Sequence, residues 1–102
     1  MISLISPAKA QQKIKENTRA RRLQLGLTQE GLAVRSGVPL PTLRLFEQKG
    51  SISLKSFLMI QMVLGGLEDI LNATQVPETH FSSIDEVLEA DNKPVRKRGI
   101  RK

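Results

Sequence analysis

Apolar and polar positions recur with helical spacing through most of the first 74 residues of this chain. The pattern predicts five helices, at about 8–25, 28–36, 39–49, 54–64 and 67–72. A glycine follows each of the first four, at Gly26, Gly37, Gly50 and Gly65. Glycine adopts left-handed backbone conformations without a steric penalty, and for that reason it often ends a helix. The pattern therefore predicts an all-α domain.

The second and third predicted helices are joined by a very short turn. Thr28 offers a hydroxyl N-cap to the second helix, and Gly37 permits a left-handed turn at its end. We expect Val38 to fill the gap between the two helices. Leu43 and Phe46 are three residues apart, so they place one face of the third helix on the core. The opposite face of that helix is left for a ligand.

The remaining helices differ in how much apolar surface they carry. The first is rich in Gln, Lys, Arg and Ala, with Ile14, Arg21 and Leu25 spaced by helical turns. The fourth is so apolar that we expect burial on more than one side, through Leu54, Phe57, Leu58, Ile60, Met62, Val63 and Leu64. The fifth presents Leu67, Ile70 and Leu71. This surplus of apolar side chains is consistent with a dimer interface.

Four regions follow from this pattern: an N-terminal extension at 1–7, the helical domain at 8–74, an acidic extension at 75–91 and a basic tail at 92–102. In the acidic extension, 83–86 reads as a capping box for a short amphipathic helix. Ile84, Val87 and Leu88 share one face of that helix and are candidates for docking a partner or the chain's own domain. The tail has the composition of a disordered arm.

Charge is distributed unevenly along the chain. Residues 1–55 carry ten Lys or Arg and three acids, 56–92 carry seven acids and neither Lys nor Arg, and 93–102 carry six bases and no acid. A basic block that overlaps the second and third helices is typical of nucleic-acid binding. The basic residues of the tail are further candidates for DNA contacts, or for solvated charge that adds nonspecific affinity. They are Arg96, Lys97, Arg98, Arg101 and Lys102.

Several functional classes have little support in the composition. The chain has no cysteine, which excludes disulfides, thiolate zinc sites and a cysteine nucleophile. Its single histidine, His80, has no partner at metal-ligand spacing. Asp85 and Glu86 are adjacent on a short helix and so point in different directions. No apolar run reaches membrane-spanning length. We expect a cytoplasmic, soluble protein that is not an enzyme and has no metal or cofactor.

The segment from Leu27 to Gly50, LTQEGLAVRSGVPLPTLRLFEQKG, resembles the helix-turn-helix of the lambda-repressor-like (Cro/XRE) family. The resemblance extends from about Ile14 to Ile70. Within the family, TLRLFE followed by SLKSFLMI is most similar to HipB-type antitoxins of HipBA and HipBST kinase toxin modules. It implies a homodimer that binds palindromic operator DNA, with its two reading helices ~34 Å apart.

The resemblance also implies roles for individual residues. Gln29, the first residue after the helix-two N-cap, is expected to donate to a phosphate, as is Lys49. The reading positions are Pro39, Leu40, Pro41, Arg44 and Leu45, with Thr42 near the DNA backbone. Relatives usually carry polar side chains at several of these positions. Glu47 is expected to brace helix three rather than to touch DNA.

Direct readout of bases is therefore expected to depend on one side chain. Leu40 and Pro41 can contact only apolar groups such as a thymine methyl, whereas Arg44 can pair with guanine N7 and O6. Arg44 could instead contact phosphate or simply solvate the helix. The sequence does not decide whether the other basic residues of the helices contact phosphate or only make the protein more soluble. These residues are Arg21, Arg22, Arg35 and Lys55.

The predicted function is a DNA-binding autorepressor that acts as the antitoxin of a HipA-like Ser/Thr kinase. The acidic stretch from Glu68 to Asp91 either faces such a partner or forms a solvated face. Two alternatives stay open. One is a stand-alone or phage-type repressor, and the other is an adaptor that uses the same fold to bind protein instead of DNA.

Overall fold

A computed structural model of the protein describes residues 4–77, and within that range the chain is entirely helical. Its five helices are α1 (Pro7–Gln24), α2 (Gln29–Ser36), α3 (Leu40–Lys49), α4 (Leu54–Leu64) and α5 (Leu67–Ala73). The predicted all-α class is confirmed, with helix bounds that agree to about one residue. None of the helices between residues 4 and 77 has the length and apolar character needed to cross a membrane. The predicted 83–90 helix, the basic tail and their site residues lie outside the described residues.

Three of the helices begin with a hydroxyl side chain that caps the backbone. Ser6, Thr28 and Ser53 each accept a hydrogen bond from the backbone N–H three residues later, at 3.1, 2.9 and 3.1 Å. Each bond satisfies one of the free N–H groups at a helix start. α3 has no side-chain cap and begins after Pro39, with Pro41 in its first turn. Proline is tolerated there because first-turn N–H groups have no acceptor within the helix.

The turn between α2 and α3 depends on glycine. Gly37 has a φ of 76°, in the left-handed region, and its N–H donates to the carbonyl oxygen of Ala33 at 2.9 Å. Val38, the next residue, is 2% exposed and lies in the core. These observations confirm the predicted roles of both residues. The turn is therefore held by a backbone conformation that favours glycine and by an apolar anchor directly after it.

The apolar core lies among α2, α3 and α4. Its buried members are Leu32, Ala33, Val38, Leu43, Phe46, Ile60 and Leu64. Phe46 also contacts Phe57 edge to face, with ring centroids 5.8 Å apart. Leu43 and Phe46 are 0% and 2% exposed, so the predicted inner face of α3 is confirmed. Burial of these side chains is what anchors α3 and fixes which of its faces points outward.

α1 packs on the other helices through polar side chains. Ile14 and Leu25, although spaced by helical turns, are 43% and 55% exposed. The buried residues of α1 are the polar Thr18 and Arg22, and both have partners on other helices. Gln61 donates to the Thr18 hydroxyl at 3.2 Å. α1 therefore packs through hydrogen bonds and an ion pair, whose partners the spacing of apolar residues does not indicate.

α4 packs against α1, α2 and α5, and its Phe57 also contacts Phe46 of α3. These contacts agree with the prediction that α4 is buried on more than one side. Two of the apolar side chains named for that burial are nevertheless exposed, Leu54 by 70% and Met62 by 72%. On α5, Leu71 is also 55% exposed. Apolar surface on α4 and α5 thus stays open to solvent.

Candidate functional site

The outer face of α3 collects most of the predicted site residues. Pro39, Pro41, Arg44, Leu45 and Lys49 are all exposed, and Thr42 is half-buried. Positions three and four apart share a helix face, so Pro41, Arg44 and Leu45 lie side by side. The face lies opposite the buried Leu43 and Phe46 and projects from a fixed scaffold. At these three positions it combines one cationic side chain with two apolar ones.

Leu40 lies between this face and the interior. It is half-buried and packs against the apolar core, so only part of its side chain is accessible to a ligand. Beside it, Val34 at the end of α2 is 82% exposed. Both residues line a shallow depression that also includes Pro39. Val34 was not among the predicted site residues, although its position near the Gly37 turn could have indicated it.

Arg44 has a charged partner on the neighbouring helix. Its Nη2 donates to Oε1 of Glu30 at 3.1 Å, and the two side chains are 50% and 61% exposed. The pKa of Glu30 is lowered, first by a hydrogen bond from its own backbone N–H; desolvation opposes the shift, and the positive charge of Arg44 adds to it. Nothing local in the sequence links residues 14 apart, so this contact was not predicted.

A buried ion pair lies beneath the same two helices. Arg22 of α1 donates to both carboxylate oxygens of Glu47, at 2.7 and 2.9 Å, and both residues are buried. A further guanidinium N–H donates to the carbonyl oxygen of Leu27 at 2.9 Å. Glu47 therefore braces α3 from inside, in agreement with the expectation for it. Burial excludes plain solubilising charge as the role of Arg22, an alternative the sequence had left open.

Gln29 connects the start of α2 to this ion pair. Its Nε2 donates to Oε1 of Glu47 at 3.1 Å, and the residue is half-buried. An amide nitrogen carries two hydrogens, so one remains available to an external acceptor. The contact holds the Gln29 side chain in a defined orientation at the N-terminus of α2. Such a terminus is a favourable place for a phosphate.

Side chains of α1 satisfy the carbonyl groups at the end of α3. Gln11 donates to the carbonyl oxygen of Gly50, and Lys15 donates to that of Gln48, each at 3.1 Å. A cation near a helix C-terminus also interacts favourably with the helix dipole. These bonds fix the end of α3 where Lys49 is exposed. The C-terminal end of the outer face is thus anchored by contacts that do not use the face itself.

Charge in the described range favours an anionic partner. Residues 4–77 carry ten Lys or Arg and five Asp or Glu. Two of those acids, Glu68 and Asp69, lie in the first turn of α5. Within the described residues, no group of three or more His, Cys, Asp or Glu side chains is arranged to hold a metal ion.

Comparison of this chain with protein-family models, with curated proteins and with solved structures found no match.

Proposed function

We propose that this chain is a sequence-specific DNA-binding repressor whose α2, Gly37 turn and α3 form a helix-turn-helix in a lambda-repressor-like domain. The observation that carries the proposal is the exposure of Arg44 on an outer face of α3 whose opposite face is anchored in the core. A rigidly mounted helix with an exposed arginine suits the major groove, where Arg pairs with guanine N7 and O6. The surplus of basic residues in the described range supports an anionic ligand.

Other positions on the surface divide into two kinds of contact. Gln29 begins α2 and Lys49 ends α3, and both are suited to phosphates, which position a protein without reading sequence. Pro41, Leu45 and the accessible part of Leu40 are suited to thymine methyl groups. Most of the hydrogen-bonded specificity is then assigned to Arg44.

The test compares the preference of the full chain for one duplex over a scrambled one. The first duplex is the sequence that the protein itself enriches from a randomised library. Arg44→Ala should lower the ratio of the two affinities by ~5- to 150-fold, the loss expected for one bidentate base contact. Arg19→Ala, which removes an equal charge from the exposed side of α1, should weaken both duplexes alike. An unchanged ratio for Arg44→Ala would reject base reading.

We further propose that the protein binds DNA as a homodimer. Met62 of α4 and Leu71 of α5 are large apolar side chains that are 72% and 55% exposed, and a second copy would cover them. Leu71→Asp should convert a dimer to a monomer in sedimentation measurements. Leu23→Asp is the matched control, because Leu23 is 52% exposed on α1. A wild-type chain that sediments as a monomer at all concentrations would contradict this part.

The antitoxin role is a separate proposal, supported by the resemblance of TLRLFE and SLKSFLMI to HipB-type sequences. A HipA-like Ser/Thr kinase coexpressed with the full chain should copurify with it. Ile84→Asp should abolish the association if the 83–88 segment docks on the kinase, and Val34→Asp should not. If the kinase and this chain do not copurify, a stand-alone or phage-type repressor is favoured.

A protein-binding adaptor is the second candidate, favoured by one observation. Val34 is 82% exposed next to Pro39 and Leu40, which makes one end of the outer face apolar. A repressor would enrich a DNA sequence from the randomised library, whereas an adaptor would enrich none.

A further inference from the structure

The contact between Glu30 and Arg44 crosses from α2 to α3 on the surface assigned above to DNA. Arg44 Nη2 donates to Glu30 Oε1 at 3.1 Å, and both side chains are at least half exposed. An acid at a DNA-facing surface is unexpected, because it repels phosphate. Glu30 lies beside Arg44, the only Arg of α3, which suggests that the benefit of this contact outweighs the repulsion.

We infer that Glu30 is a positioning residue that orients the Arg44 guanidinium for guanine. This inference rests on the proposed DNA-binding function and adds a residue to it. The carboxylate holds one edge of the guanidinium, and the other N–H groups are left to pair with N7 and O6 of the base. Arg44 would then reach the groove with its side chain already ordered.

The donor count allows both contacts at once. A guanidinium carries five N–H groups, and the bond to Glu30 uses one of them. Four remain, which is enough for a bidentate contact with guanine. Free arginine loses considerable rotamer entropy when it is held in one conformation. A carboxylate that orders the side chain before binding reduces that loss on complex formation.

A second hydrogen bond also joins α2 to α3. Gln29, the neighbour of Glu30, donates to Glu47, which lies three residues after Arg44, also at 3.1 Å. Glu47 is in turn held by the buried Arg22. α2 and α3 are therefore tied together from inside, and the exposed pair does not have to hold them.

The ionised form of Glu30 is favoured by its place in the first turn of α2. Its pKa is lowered first by a hydrogen bond from its own backbone N–H and next by the charge of Arg44. At neutral pH the carboxylate is therefore charged and able to accept from the guanidinium.

A positioning role and a purely electrostatic role predict different results. If Glu30 only repels phosphate, its neutralisation raises affinity for every duplex and leaves base preference unchanged. If Glu30 orients Arg44, the same change raises affinity for scrambled DNA but lowers the preference for guanine. The two readouts are independent, so one variant separates the roles.

The experiment uses the full chain and the duplex it enriches from a randomised library, with and without 7-deazaguanine, which lacks the N7 acceptor. The ratio of the two affinities measures the arginine contact. Glu30→Gln should lower that ratio by about 2- to 5-fold, the range for an exposed ion pair. In the Arg44→Ala background, Glu30→Gln should not lower the ratio any further.

Glu16→Gln is the matched control, because it removes the same charge from an exposed position on α1. It should leave the 7-deazaguanine ratio unchanged. Thermal unfolding of each variant verifies that it is folded.

The outcomes distinguish this inference from the proposed function. If the wild type enriches no sequence, or Arg44→Ala leaves the ratio unchanged, the DNA-reading proposal and the inference both fail. If Arg44→Ala lowers the ratio but Glu30→Gln does not, only the positioning role is overturned. An equal loss with Glu16→Gln would also overturn it, because net charge would then explain the effect.

Discussion

Two ion pairs with the same chemistry have opposite environments in this molecule. Arg22 and Glu47 are buried and share two hydrogen bonds, whereas Arg44 and Glu30 are exposed and share one. Separation from water makes the first pair part of the scaffold, since a buried charge without its partner is strongly unfavourable. The second pair contributes little to folding because solvent screens it. Its side chains therefore remain available for a ligand.

The largest effect is expected when the buried pair is broken from one side. Glu47→Ala should lower the free energy of unfolding by ~3–5 kcal/mol, because Arg22 is left buried without a counter-charge. Urea denaturation followed by circular dichroism measures this. Glu16→Ala, which removes an exposed acid of α1, should change stability by less than ~0.5 kcal/mol. Equal losses of stability for the two variants would show that the buried acid and the exposed acid contribute alike.

Replacement of both charges should restore much of that loss. The double variant Arg22→Met with Glu47→Leu has no buried charge, and apolar pairs of similar volume are often neutral or stabilising by ~1–4 kcal/mol relative to an ion pair. We expect it to be more stable than Glu47→Ala in the same denaturation assay. A double variant less stable than the single one would mean that the hydrogen bonds of Leu27 and Gln29 to this pair matter more than its charges.

A neutral polar contact in the interior should have an intermediate effect. Thr18→Val removes the acceptor of the buried Gln61 amide, which should lower stability by ~1–3 kcal/mol. Thr74→Val is the matched control, because the Thr74 hydroxyl donates to the carbonyl oxygen of Leu71 in an exposed setting. It should change stability by less than ~0.5 kcal/mol. A loss in Thr18→Val no greater than in the control would show that water replaces the Thr18 hydroxyl.

The smallest effect is expected for the exposed pair, and it depends on pH. The pKa of Glu30 is lowered in the folded chain by its backbone hydrogen bond and by Arg44, so its contribution is present above the unfolded pKa and is lost as pH falls through the folded one. Glu30→Gln should therefore lower the thermal stability slightly at neutral pH and make no difference at a pH below the folded pKa of Glu30, so that the fall in stability on acidification becomes slightly less steep. A destabilisation at neutral pH comparable to that of Glu47→Ala would contradict the comparison.

Local features of the sequence were sufficient to predict the helices and the turn. Thr28 and Gly37 act through backbone groups within a few residues of themselves, so their roles are visible in a short segment. Leu43 and Phe46 were predicted to be buried from their spacing alone, because a helix with one anchored face must repeat at that interval.

Contacts between distant segments were not predictable in this way. Arg22 and Glu47 are 25 residues apart, and a sequence does not distinguish a buried arginine with a partner from a solvated one. The apolar content of α4 indicated burial, but it did not indicate that Met62 would be 72% exposed.

The amino-acid sequence by itself determined where each helix begins and ends, the left-handed turn and the inner face of α3, because these depend on short-range sterics and periodicity. Only the tertiary structure decided which charges are buried and that Glu30 meets Arg44. Those properties arise from the packing of helices against each other, and packing depends on the whole set of side chains rather than on any one segment.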